Sequence, residues 1–146
     1  ADVLLPNLTE ACLLTDTPYR EDPDEAFVQA LLQKLSHLAP RVVLTGVSFD
    51  DDHLGAMSYD RTTGRYFAYY NEKVHAGFHG TGDIFTATVL GAMMQGRTLE
   101  QAVTLAVDFT LECIRCTCAD PAASWYGVEF EKALPWLARQ NNAGAE

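Results

Sequence analysis

Basic residues are scarce in this chain. Lys and Arg total 10 of 146 residues against 20 Asp and Glu, a formal net charge of −10 at pH 7. A chain this acidic repels phosphate backbones, so nucleic acid is not an expected partner. It also lacks the basic amphipathic face that would lie on a membrane surface. Long apolar runs are missing as well. The best candidate, the 11 residues from Ile84 to Met94, still carries Thr86 and Thr88, whereas a bilayer-spanning helix needs about 20 apolar residues. No basic stretch followed by an apolar core opens the chain, so no secretory signal is read. Cysteine is sparse and badly spaced for disulfides. Cys113, Cys116 and Cys118 crowd into six residues, with Cys12 far away. A reduced, cytoplasmic compartment is the expectation.

What is present is ordinary globular composition, with 48% hydrophobic and 21% charged residues. That excludes a disordered tail, a collagen-like repeat or a low-complexity array, and the length suits a single domain over 1–146. Strand and helix signals alternate. Asp2 to Leu5 is a short apolar run closed by Pro6, which predicts a buried strand. Asn7, with Glu10 three residues on, predicts a capped helix to Thr15. Phe27, Val28, Leu31, Leu32, Leu35 and Leu38 recur at helical spacing, which predicts an amphipathic helix from Asp24 to Leu38. Arg41 to Thr45 predicts a second buried strand, closed by Gly46. Leu54 to Tyr59 and Arg65 to Tyr70 flank a Gly-containing turn and predict a hairpin. Helices are then expected over Asp83 to Gln95, from Thr98 to about Cys118, and over Val128 to Gln140, before a frayed tail from Asn141. The pattern is α/β. The chain opens on Ala1 and runs straight into a strand signal, and three closing helices have little sheet to pack on. Both features fit a cut inside a larger fold.

Three segments carry chemistry. Gly80-Thr81-Gly82-Asp83 runs into an apolar helix. Glycines turn the backbone tightly with no side chain in the way. The free amides and positive dipole end of the following helix favour an anion, phosphate above all. Asp83 at that mouth is placed to accept a proton from an attacking hydroxyl. The same residues also read as a turn and an N-cap. A dinucleotide fingerprint is disfavoured, because Phe85 stands where a third glycine belongs. Asn7 and Glu10 lie at the C-terminal end of a strand, the edge at which open α/β sheets bind ligands. Glu10 is a hard oxygen ligand suited to Mg²⁺, and the pair also reads as a capping box alone. Thr45-Gly46 ends the second strand at the same edge, with a hydroxyl and a bare backbone to offer a phosphate.

Other clusters are weaker. Cys113, Cys116 and Cys118 fall on a predicted helix and point to different sides, against a zinc or iron–sulfur site. His75 and His79 lack the Glu of a zinc helix, and Gly77 separates them, though His79 would suit the lining of a phosphate site. Asp50-Asp51-Asp52-His53 reads as a solvated turn.

Taken together, Ala1 to Ala11, Val42-Val43-Leu44-Thr45-Gly46 and Gly80-Thr81-Gly82-Asp83-Ile84-Phe85 resemble the ribokinase-like superfamily of small-molecule kinases, and most closely its pyridoxal/pyridoxamine kinase branch. The resemblance covers essentially the whole chain. It implies the C-terminal portion of a three-layer α/β/α fold, with a short sheet, a hairpin and about five helices. It implies that Asp83 is the catalytic base and that Gly80, Thr81 and Gly82 form the anion hole for the transferring phosphoryl group. Asn7 and Glu10 match the motif that organises Mg²⁺ and the phosphates, and Thr45 matches a threonine beside the ATP phosphates. Val74 and Phe78 lie where the family contacts adenine. The implied reaction uses ATP and Mg²⁺ to phosphorylate the hydroxymethyl group of a B6 vitamer. Hydroxymethylpyrimidine kinase and a non-catalytic ligand-binding or interaction module are the rival readings. A kinase of this kind is roughly twice this length, so the chain is expected to be its nucleotide-binding half, inactive alone. A homodimer is expected to cover the sheet edge left open.

Overall fold

Short apolar runs ending in turn residues form the sheet of the first half, and the leucine-rich helical stretch covers it. The computed structural model describes residues 2–74, 81–119 and 133–144. The chain falls into two compact units, Ala1–Asn71 and Glu72–Glu146.

In the first unit the order is β1 (Val3–Leu4), α1 (Leu8–Leu14), α2 (Glu25–Leu35), β2 (Arg41–Val47) and β3 (His53–Asp60), with β4 (Arg65–Glu72) closing it. The strands form one four-stranded sheet in the order β1-β2-β3-β4. β1 runs parallel to β2, pairing Val3 with Arg41 and Leu4 with Val42. β2 and β3 are antiparallel, from Arg41 opposite Asp60 to Val47 opposite Gly55. Val42, Val43 and Leu44 are all buried, as a continuous β-branched run requires of a strand covered on both faces. β2 does not stop at Gly46. The ladder shifts register between Thr45 and Val47, and Gly46 sits there at φ +69°. A bulge inserts one extra residue, and glycine takes the left-handed conformation at little cost.

Leu31, Leu32 and Leu35 of α2 pack with Val42, Leu44 and Met57 in the core of this unit. The Asp24 carboxylate caps α2, accepting from the Phe27 amide at 2.8 Å. The helix ends at Leu35, short of the predicted Leu38. Its closing turn is tighter: the His37 and Leu38 amides donate to Lys34 and Leu35. Arg61 Nη1 takes up the Ser36 carbonyl at 2.6 Å, satisfying a helix end that would otherwise be orphaned.

The second unit holds α3 (Thr81–Met94), α4 (Leu99–Ala119) and α5 (Leu134–Gly144). α3 packs along α4. It stops where glycine predicts, with Gly96 at φ +90° and the Arg97 amide reaching back to Ala92 at 3.1 Å, a Schellman closure. Thr98 and Gln101 cap α4 reciprocally, at 3.2 and 3.0 Å. Phe109 and Cys113 form its core with Ala133, flanked by Ile84, Trp136 and Leu137. The Phe109 and Trp136 rings stack with centroids 6.1 Å apart. The last helix is described from Leu134 and ends later than Gln140, and the expected start at Val128 lies outside the described residues. Pro135 is tolerated only in a first turn, and the helix runs on to Gly144 where a frayed tail was expected. Arg97 Nη2 anchors it through the Gln140 carbonyl at 2.9 Å. Among the described residues no helix is long and apolar enough to cross a membrane.

Asp60 ties the hairpin together. Its Oδ1 accepts from the Thr62 hydroxyl at 2.6 Å and the Thr62 amide at 2.9 Å, and its Oδ2 lies 3.6 Å from Arg41 Nε. Burial alone would raise this carboxyl, but the Thr62 bonds and the Arg41 charge outweigh it and hold it below the ordinary 3.8. A depressed carboxyl contributes stability above its unfolded value and loses it as pH falls through the folded one. Urea midpoints at pH 7 and pH 3 should therefore differ less for Asp60→Asn than for the native chain.

Candidate active site

Parallel pairing of β1 with β2 puts their C-terminal ends side by side. The Thr45 amide donates to the Pro6 carbonyl at 3.0 Å, so Asn7-Glu10 and Thr45-Gly46 meet at one edge of the sheet. This is the edge at which ligands bind in open α/β sheets. Asn7 is extended, at φ −82° and ψ 178°. Its Oδ1 accepts from the Glu10 amide at 2.8 Å, and Glu10 Oε1 accepts from the Asn7 amide at 3.3 Å. The capping box is therefore real. It engages Asn7 Oδ1 and Glu10 Oε1 and leaves Glu10 Oε2 on an exposed side chain. An exposed carboxylate oxygen at a sheet edge fits a hard cation that keeps most of its waters. Thr45 is half-buried and Gly46 exposed.

In the second unit α3 begins at Thr81 rather than Asp83. Thr81 and Gly82, expected as loop, are its first turn, because glycine enters helical backbone without strain. The leading amides of a helix have no intrahelical partners, so this end presents donors and the positive dipole end. A Cβ at Gly82 would meet nothing within 4 Å, so packing does not demand glycine there. Glycine in a helix costs roughly 0.5–1 kcal/mol relative to Ala. The glycine leaves the backbone of this turn bare of side chain. Asp83 stands exposed in the same turn. Beside it runs a groove of about 410 Å³ lined by Ile84, Ala87, Gly91, Phe109 and Leu137. The sequence reading missed this groove, although an apolar helix without a polar face was its signal.

The remaining candidates separate clearly. Val74 is half-buried in irregular backbone. Phe78, Gly80, His75 and His79 lie outside the described residues. Cys113 is buried, Cys116 half-buried and Cys118 exposed, so the three thiols do not converge. Asp50 caps its own turn, accepting from the Asp52 and His53 amides at 2.8 Å each and facing His53 Nδ1 at 3.0 Å. The Asp52 amide first, then the His53 side chain, hold its carboxyl below the ordinary 3.8. This is the solvated turn expected.

A family model for phosphomethylpyrimidine kinase matches residues 1–124. A protein of Bacteroides thetaiotaomicron VPI-5482, assigned as a phosphomethylpyrimidine kinase, superposes with a TM-score of 0.87 at 34% identity, over 94% of this chain and 48% of that one. Its orthorhombic crystal form with pyridoxal gives 0.86 at the same identity, over 94% and 49%. Pyridoxal kinase from Lactobacillus plantarum gives 0.84 at 27% identity, over 98% and 51%. Pyridoxal kinase from Leishmania donovani, in complex with ADP and pyridoxamine, shares the fold at 0.81 and 23% identity, over 94% and 48%. Comparison with curated proteins gave no match. The chain spans about half the length of these solved structures.

The cap is open to direct test. Asn7→Ala should lower unfolding free energy by about 0.5–2 kcal/mol, and Asn7→Asp should recover most of it. Chemical denaturation followed by circular dichroism measures both.

Proposed function

The chain belongs to the phosphomethylpyrimidine kinase family, and on that premise we propose that it supplies the nucleotide-binding half of a kinase that phosphorylates the hydroxymethyl group of a B6 vitamer. One observation carries this reading. Asp83 stands in the first turn of α3 beside Gly82, whose Cβ position is open. A carboxylate and bare amides at one helix end are the parts that phosphoryl transfer needs.

Asp83 accepts the proton of the attacking hydroxyl. The amides of Gly80, Thr81 and Gly82, with the helix dipole, hold the charge that develops on the phosphoryl oxygens. Asn7, Thr45 and Gly46 engage the ATP phosphates, and Val74 and Phe78 flank adenine. Glu10 would hold Mg²⁺, directly or through water, and the positive charge so supplied would offset that of the phosphates. Transfer is direct and in line, with no covalent enzyme intermediate. The chain by itself does not turn over, and the working kinase is cytoplasmic. Among the described residues the outer edge of β1 carries no strand; the rest of the fold, or a second copy in a homodimer, covers it.

Pyridoxal in the Bacteroides thetaiotaomicron structure and the name of the Lactobacillus plantarum relative support a B6 acceptor. The matching family model is named for phosphomethylpyrimidine, which favours a pyrimidine acceptor, the hydroxymethylpyrimidine alternative, instead. Phosphorylation of both acceptors by the complete kinase separates the two.

Calorimetric titration of this chain with AMP-PNP and Mg²⁺ tests the nucleotide site. Saturable binding is expected, weakened at least about tenfold by Gly82→Val and kept by Asp83→Asn, since each lost phosphate contact is worth upward of 1.4 kcal/mol. Absence of binding, or binding indifferent to Gly82→Val, would overturn it. In the complete kinase, Asp83→Ala should lower kcat by about 10²–10⁴-fold in a coupled ADP assay.

A further inference from the structure

Three cysteines fall on α4, and the proposed chemistry uses none of them. Cys118 is exposed and stands two residues past Cys116, a spacing that puts the two on different faces of a helix. Cys113 and Cys116 are three apart, so they are neighbours on one face, with Cβ atoms about 5–6 Å apart. Cys113 is fully buried, at 0% exposure, in a core with Phe109 and Ala133, and half-buried Cys116 packs against that same core. One thiol meets solvent and the other lies behind it. A disulfide needs its Cβ atoms about 3.5–4.5 Å apart. Bridging the pair therefore requires the end of α4, which closes at Ala119, to give. The Thr117 hydroxyl donates to the Cys113 carbonyl at 2.8 Å there, a back-bond of the kind that weakens and bends helices.

We infer that Cys113 and Cys116 are a redox-sensitive pair, which hydrogen peroxide converts to a disulfide that bends the end of α4. The Cys116 sulfur attacks one peroxide oxygen and the O–O bond breaks. Its proton passes to Glu112 Oε1, which Cys116 Sγ faces at 3.9 Å, and from there to the departing oxygen, which leaves as water. Cys116 is then a sulfenic acid. The Cys113 sulfur attacks the Cys116 sulfur, an S–S bond replaces the S–O bond, and the Cys113 proton leaves with the second water. Peroxide is reduced and two thiols are oxidised; an added dithiol reverses the change by exchange. Ile84 packs against the same core as Cys113 and follows Asp83 in the first turn of α3. A shift at Cys113 thereby reaches the candidate base. That consequence rests on the kinase reading above; the bridge itself does not.

Peroxide treatment of the 146-residue chain, alkylation of the remaining thiols and tryptic digestion under denaturing conditions read the bridge by mass. Trypsin cuts after Arg97, Arg115 and Lys132, so Cys113 leaves in one peptide and Cys116 with Cys118 in the next. The two peptides are expected to be linked in the monomeric chain and separated by dithiothreitol. The link should persist in Cys118→Ser and vanish in Cys116→Ser. Alkylation of Cys113 undiminished by peroxide would overturn the inference. So would a link that vanishes in Cys118→Ser, or one found only in a covalent dimer on a non-reducing gel. The oxidised chain should bind AMP-PNP at least about tenfold more weakly and recover on reduction, while Cys116→Ser should ignore peroxide. Equal binding before and after oxidation would overturn the coupling to Asp83. A reduced chain that binds no AMP-PNP counts against the kinase reading, and the linked peptides still decide this inference.

Discussion

The parallel pairing of β1 with β2 is the constraint on which the first unit depends. It is only two residues long, but the Thr45 amide extends it to the Pro6 carbonyl. Without that bond the loop after β1 would have no fixed relation to the end of β2. With it, the Asn7 capping box and the Gly46 bulge stand at one edge. Two parallel residues cannot hold such a register alone. The leucines of α2, packed against Val42, Leu44 and Met57, tie β2 to the helical layer by burying apolar area.

α3 carries the opposite balance. In its first turn Gly82 lowers helix propensity, while Asp83, exposed in the same turn, complements the positive end of the helix. A helix that apolar could have been sealed on all sides, but it keeps one side open from Asp83 to Met94. Local sequence choices that weaken an element without a packing reason cluster where a protein meets a ligand or a partner.

Much of the fold was legible. The apolar run of β2, the hairpin around Asp60, the caps at Asn7 and Thr98, and the stop at Gly96 follow from short-range chemistry, and the structure has each of them. The errors lie where short-range signals conflict. Gly46 reads as a strand end, yet it is a bulge within a strand. Leu38 keeps the helical period of α2, yet the chain has already tightened into its closing turn, where Arg61 takes a carbonyl. Thr81 and Gly82 read as loop because glycine seldom favours helix, yet they open α3.

The sequence by itself determined the α/β class, the family and the residue types at the sheet edge where β1 and β2 end. Those properties rest on local spacing: a cap needs a partner three residues away, and an anion-binding turn needs glycine next to a helix. Tertiary structure alone decided that Pro6 lies beside Thr45 and that one side of an apolar helix stays bare. Each of these depends on segments far apart in the chain. Their meeting is set by strand register and by the area left over once the core has packed, and neither is written in any local pattern.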